Sequence, residues 1–262
     1  MPVAVSAKRS LAPLVKAVAP RPFYRRKYRI LRELAASNAE IQLVQSLCDP
    51  NRVSLDIGAD VGEFSIAMAA SSRSVVAFEP RPAQARALVA MFDAAAAPVR
   101  VEAIALSDTP GTAAMRVLEL DPGRSTIDTG NSLTDADGSP VQTIDVPVKR
   151  LDDLDLGDVG LVKIDVEGHE LAVLRGAAGT LRRCRPTLVV EAEERHHAGA
   201  VAAITEFLSG LGYAGHFTVA GNRLPIIEFD AALHQDPANI ASWKDGWATR
   251  GTYVNNFVFA AS

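Results

Sequence analysis

Ser54-Leu55-Asp56-Ile57-Gly58-Ala59-Asp60-Val61-Gly62-Glu63-Phe64-Ser65 is the stretch that decides the fold. Residues 52–57 read as a buried strand, the glycines as a tight turn, and the residues after Gly62 as the start of a helix. An acid stands two residues before the first glycine. A second acid, Glu79, closes the next apolar run, Val75-Val76-Ala77-Phe78. A parallel α/β sheet builds a nucleotide site from these parts. Glycine lets the backbone approach a ligand, the helix start offers free N–H groups, and a strand-end acid can grip ribose hydroxyls.

Spacing separates the candidate nucleotides. A dinucleotide fingerprint needs three glycines as G-x-G-x-x-G. Here the pattern is Gly58-x-x-x-Gly62 with Asp56 ahead of it. A carboxylate aimed into the turn repels phosphates and suits a cation such as the ammonium of a methionyl group. No Gly-Lys-Ser/Thr follows, so a Walker-type loop is excluded. The pattern favours S-adenosylmethionine (SAM) over NAD or ATP.

The rest of the chain bounds the answer. Its 262 residues, 48% hydrophobic and 22% charged, suit a globular domain with a large core. A net charge of −4 argues against nucleic acid as a partner. Residues 1–32 nevertheless hold nine Lys/Arg and no acid, leaving 18 basic against 31 acidic side chains in the remainder. Cys48 and Cys184 stand far apart without a CxxC pair, which points to a reducing, cytoplasmic setting without a disulfide framework. No apolar stretch reaches membrane-spanning length. Lys16, Pro13 and Pro20 interrupt the start of the chain, so it reads as a retained segment.

Residues 24–47 carry helical spacing, and Arg25, Arg26, Lys27, Arg29 and Arg32 crowd the first part. These cations fit a solvated face, an anionic acceptor, a membrane surface or a partner subunit, including a second copy of the chain. We therefore divide the chain into a basic helical extension, 1–48, and a domain, 49–262. Within the domain, strands are expected at 52–57, 74–79, 99–104, 160–165, 186–192, 213–219 and 253–260, and helices at 63–71, 82–93, 169–182 and 198–211. This is the rhythm of a parallel sheet covered on both faces. Residues 111–119 and 141–148 read as added strands. The Gly/Ser/Thr/Asp-rich stretch between them, Asp121 to Pro140, fits a lid, a mobile binding segment or surface disorder. Trp243 and Trp247 are placed to cover the site or cap the core.

Four segments in order resemble the FkbM family of SAM-dependent methyltransferases. They are Asp56 to Gly62 with Ser65; Phe78-Glu79-Pro80; Ala105-Leu106-Ser107-Asp108; and Leu151-Asp152-Asp153-Leu154 followed by Val162-Lys163-Ile164-Asp165-Val166-Glu167-Gly168-His169-Glu170, Val173 to Gly176 and Pro186 to Glu191. The resemblance implies a class I methyltransferase fold: an α/β, Rossmann-like, seven-stranded, mostly parallel sheet whose last strand is reversed and inserted. It implies methyl transfer to a hydroxyl of a sugar, glycan or natural product. Asp60 departs from the family's usual Asn, replacing a group that donates and accepts with one that only accepts.

On that resemblance the SAM site comprises Asp56, Gly58, Ala59, Asp60, Gly62 and Ser65 in the first turn and Glu79 on the ribose. Pro80 and Arg81 flank the adenine, Ser107 and Asp108 reach its amino group, and Asp165 stands at the methyl end. Glu167, Glu191 and His169 join Asp165 as the catalytic candidates. A sugar hydroxyl is a weak acid, so its attack needs a base or a metal. Two schemes stay open. Asp165 or Glu167, with His169, takes the proton; or Asp165, Glu167 and Glu191 hold a divalent ion, for which oxygen ligands suit magnesium or manganese. His196 and His197 fit acceptor contacts or, more simply, a solvated charged loop. Competing functions are N-methylation, a SAM-binding module without catalysis, and, against the glycine spacing, a nicotinamide oxidoreductase.

Overall fold

The computed structural model describes residues 16–131, 133, 139–240 and 251–261. Trp243 and Trp247 lie outside them. The first strand shows why the sheet forms. β1 (Val53–Ile57) is buried at all five positions. Its alternation sends Val53, Leu55 and Ile57 into the largest apolar cluster and leaves Ser54 and Asp56 for the opposite face. Each such buried aliphatic side chain contributes about 1.5–3 kcal/mol relative to exposure.

β1 pairs in parallel with β2 (Ser74–Phe78) on one side and β7 (Val159–Ile164) on the other. β3 (Val99–Glu102) extends one edge beyond β2, and β8 (Thr187–Glu191) follows β7. The last strand, β11 (Asn256–Ala261), runs antiparallel between β8 and β9 (Tyr213–Val219). This is the reversed, inserted strand that the resemblance implies. Strand order reverses between β7 and β2 around β1, and such a switch point opens a crevice at the carboxyl ends of the strands.

The main sheet has eight strands, against the seven expected. The eighth, β10 (Asn222–Pro225), is a hairpin partner of β9. Its two-residue turn, Ala220-Gly221, has positive φ at both positions, as a turn that matches strand twist requires. The added strands form a sheet of their own. β5 (Gly111–Leu118) and β6 (Val141–Lys149) pair antiparallel, and β4 (Ala105–Leu106) joins β6.

Two expected helices are each broken in two. The N-terminal one divides into α1 (Pro20–Ala35) and α2 (Ala39–Ser46). Asn38 makes the break, because its Oδ1 caps α2 by accepting from the Glu40 and Ile41 N–H groups at 2.9 and 3.3 Å. α3 (Glu63–Ala69) and α4 (Pro82–Ala95) follow β1 and β2. The second broken helix gives α5 (Glu170–Arg175) and α6 (Ala178–Cys184), and α7 (Ala200–Ser209) follows β8.

α1 packs onto the domain. Tyr24 joins Leu88, Met91 and Phe92 of α4 in one buried cluster, Tyr28 meets Phe92 edge-on at 6.4 Å, and Arg25 Nε donates to the Ala94 carbonyl at 2.6 Å. No described helix is long and apolar enough to cross a membrane.

Candidate active site

A cleft of about 1190 Å³ opens at the switch point. Single-ligand pockets usually run to about 300–1,000 Å³, so this one has room for a cofactor and an acceptor together. Of the residues expected to bind the cofactor, Gly58, Asp60, Glu79, Pro80, Arg81 and Asp165 line it. So do three of the catalytic candidates, Glu167, His169 and Glu191. The other expected residues stand behind or beside it. Ala59 and Gly62 are buried in the turn. Asp56 is fully buried and Ser65 Oγ donates to its Oδ2 at 2.5 Å. Ser107 reaches the cleft only through His169, whose Nε2 lies 2.9 Å from its Oγ. Asp108 is exposed and accepts from Thr109 Oγ1 at 3.2 Å.

The glycine turn is tight for a definite reason. Gly58 has φ +88°, and a Cβ there would lie 1.8 Å from the Asp165 carbonyl oxygen. The end of β1 therefore rests directly on the end of β7, and that contact sets where Asp165 stands. Gly58→Ala is expected to cost about 2–4 kcal/mol, from the left-handed backbone and the forced overpacking together. Urea denaturation measures it, and an unchanged midpoint would contradict the account.

At the end of β2, Glu79 is only 2% exposed and its acceptor sites are filled. Oε1 accepts from the Arg81 backbone N–H and Nε at 2.9 and 2.8 Å; Oε2 accepts from the Asp60 N–H and Arg81 Nη2 at 3.0 and 2.9 Å. Arg81 Nη2 also donates to Asp60 Oδ1 at 2.6 Å. Arg81 thus sits where the sequence reading places the ribose diol, and Asp60, in place of Asn, gives it a second carboxylate. Burial alone would lower the Arg81 pKa; Glu79 and Asp60 outweigh it and hold the pKa above its ordinary value.

The opposite wall is acidic around one buried cation. Lys163 pairs in register with Asp56, is 1% exposed, lies 4.2 Å over the Phe64 ring, and donates to Asp165 Oδ2 at 2.7 Å. Burial would push its ammonium down, but Asp165, Asp56 and Glu191 outweigh this and hold it above the usual lysine range. Glu191 accepts from Asn255 Nδ2 at 2.5 Å. Burial, reinforced by Asp165, raises Glu191 well above the usual carboxylate range. Burial and the Asp165 charge push Glu167 up to about 8. Burial brings Glu170, whose carboxylate accepts from the Gly168 N–H at 2.9 Å, to about 7.

The donor set does not fit a divalent metal. Among the described residues no three His, Cys, Asp or Glu side chains converge on one point, and Asp165, Glu167 and Glu191 are no exception. The Lys163 ammonium already supplies the local positive charge at Asp165.

The loop after β8 also differs from its sequence reading. Glu193 is 4% exposed and bound in a fork by Arg195, with Nε–Oε2 at 2.5 Å and Nη2–Oε1 at 2.9 Å; Tyr253 Oη donates to it as well. Glu193, Arg195, Tyr253 and Asn255 all line the cleft. The His196 side chain is buried, with Nε2 3.2 Å from Glu167 Oε2 but off the line of a hydrogen bond. Burial, with Arg195 beside it, lowers its pKa to about 4, so it is neutral at pH 7. His197 Nε2 meets Asp128 Oδ1 at 2.7 Å, and Asp128 Oδ2 lies 3.5 Å from His169 Nδ1.

Asp128 belongs to the stretch between β5 and β6, whose described part folds over the cleft. Thr126 Oγ1 and Asn131 Nδ2 donate to the Glu167 carbonyl at 2.8 and 2.9 Å. Asp121, Gly123, Arg124, Ser125 and Ile127 line the cavity. Sequence reading missed Glu40 too, which reaches the cleft from α2.

A family model, the methyltransferase FkbM domain, matches residues 56–214. The chain belongs to the FkbM methyltransferase family. The matched residues run from Asp56 to the start of β9 and carry Lys163, Asp165, Glu167 and Glu191. Solved structures with a similar course include an FkbM methyltransferase from Methylobacillus flagellatus KT, at 17% identity and TM-score 0.48, covering 81% of this chain. This chain spans 44% of that protein's length. Others are cofactor-bound Rv0187 from MTB, at 18% identity, TM-score 0.44 and 95% and 94% coverage of the two chains, and the O-methyltransferase from Bacillus cereus in complex with SAH, at 15% identity, TM-score 0.44 and 95% and 96% coverage. Among curated proteins, none matches this FkbM-family chain.

Proposed function

We propose that this FkbM-family chain binds SAM and transfers its methyl group to a hydroxyl of a sugar, glycan or secondary metabolite. The observation that carries the reading is one cleft with two unlike ends. A buried, strand-end carboxylate, Glu79, stands at one end, and the raised acids Glu167 and Glu191 stand at the other.

SAM supplies an activated methyl on a sulfonium leaving group when bound. The chain's own task is to align the acceptor and take its proton. Glu79 stands at the ribose end, held in place by Arg81 and the Asp60 N–H. Asp165, bound by the Lys163 ammonium at 2.7 Å, fixes the wall at the reacting end. Glu167 takes the acceptor's proton, because a carboxyl with a pKa near 8 holds a proton far better than an ordinary one. Glu191, Tyr253 and Asn255 present acceptors and donors suited to a polyhydroxylated substrate.

Transfer from methyl-labelled SAM to a panel of sugars, glycans and phenolic metabolites tests this. The expected product is a base-stable methyl ether. Label found only on amines would overturn the hydroxyl assignment.

A further inference from the structure

α2 precedes the residues that the family model matches, yet it supplies a wall of the cleft. Glu40 is its second residue. Asn38 caps the helix directly beneath it, and Ile41 and Val44, 2% and 0% exposed, anchor the helix against the sheet-covering layer. The Glu40 carboxylate is therefore held in place. It lines the cleft, and among the described residues it makes no hydrogen bond or ion pair. Burial, the largest influence on it, raises its pKa; the Lys163 charge pulls the other way and Asp165 adds to the rise.

Around Lys163 the balance is unequal. Glu40, Asp56, Asp165 and Glu191 face one ammonium. Lys163 is committed to Asp165 at 2.7 Å. A partly buried carboxylate without a partner is costly unless a ligand completes it. The oxygens Glu40 leaves free are acceptors in an acidic wall, so the group that completes it is a cation with protons to donate.

We propose that Glu40 of the N-terminal helix pair binds the α-ammonium of the SAM methionyl group. This rests on the SAM reading above. With the adenosine directed to Glu79, at the end of β2, the methionyl end extends past Gly58 towards β7 and α2, where Glu40 stands. Residues 20–48 then complete the cofactor site instead of merely decorating the domain.

Titration calorimetry of wild type and Glu40→Gln with SAM and with 5′-methylthioadenosine tests the inference. The second ligand keeps the adenosine and the sulfur but has no ammonium. The variant is expected to bind SAM about tenfold or more weakly, the loss of one charge-assisted hydrogen bond, and to bind 5′-methylthioadenosine as the wild type does. Its melting temperature is expected to match or exceed the wild type's, since it removes a partly buried acid that has no protein partner among the described residues. Unchanged SAM affinity, or equal losses for both ligands, would overturn the inference while leaving the SAM reading intact. A wild type that binds neither ligand would overturn both.

Discussion

Lys163→Met is expected to destabilise the protein by about 3–5 kcal/mol, lowering the melting temperature by about 10 °C. The methionine fills most of the space, so packing changes little. The loss is electrostatic. Lys163 is 1% exposed, and its ammonium is the countercharge for Asp165 at 2.7 Å and for the nearby carboxylates of Asp56 and Glu191. Removing one partner of a buried pair strands the others in a medium that solvates them poorly. The double variant with Asp165→Asn is expected to recover part of the loss, because one stranded charge goes with it. Thermal and urea denaturation measure both proteins. A loss below about 1 kcal/mol in the single variant, or no recovery in the double, would show that Lys163 is not the keystone of the acidic wall.

Glu167→Gln is expected to lower kcat by about 10²–10⁴-fold with a small change in KM for SAM. Glutamine keeps the size and loses the base. The pH profile gives a second, independent readout. A base must be ionised to accept a proton, and burial places Glu167 at about 8. The wild-type rate should therefore rise about tenfold per unit up to pH 8 and level off above it. The variant's residual rate should lack that limb. A profile that is flat from pH 6 to 9, or a variant within threefold of wild type, would move the base to Asp165 or His169.

The elements that position the site could be read in the chain because their signals are local. β2 and β7 are short apolar runs followed at once by an acid, and Gly58 marks a turn that admits no side chain. Element limits were less legible where one residue overrides a periodic pattern. The Ala36-Ser37 break looks helical in sequence, and only the Asn38 cap divides α1 from α2. β10 escaped notice because its turn is Ala-Gly, a weak version of the Asn-Gly signal.

The site's electrostatics lay further out of reach. Lys163 sits in an ordinary strand pattern, and its partners come from β1, β8 and the end of β7, so nothing local shows that it is buried among acids. The run Glu193 to His197 reads as solvated because charges usually are. Here Arg195 and Tyr253 satisfy Glu193, which lets the loop turn inward. Glu79 was legible as a strand-end acid, but not its capture by Arg81 two residues on, whose guanidinium is also held by Asp60 and the Pro122 carbonyl from distant turns.

Every role proposed for the cleft requires SAM at the β1 switch point. Isothermal titration of the full chain with SAM and, separately, with NAD tests this most directly. Saturable one-to-one binding of SAM in the micromolar range, with no heat from NAD, is the predicted result. A folded protein that takes up NAD, or shows no heat with SAM up to millimolar concentration, would contradict it.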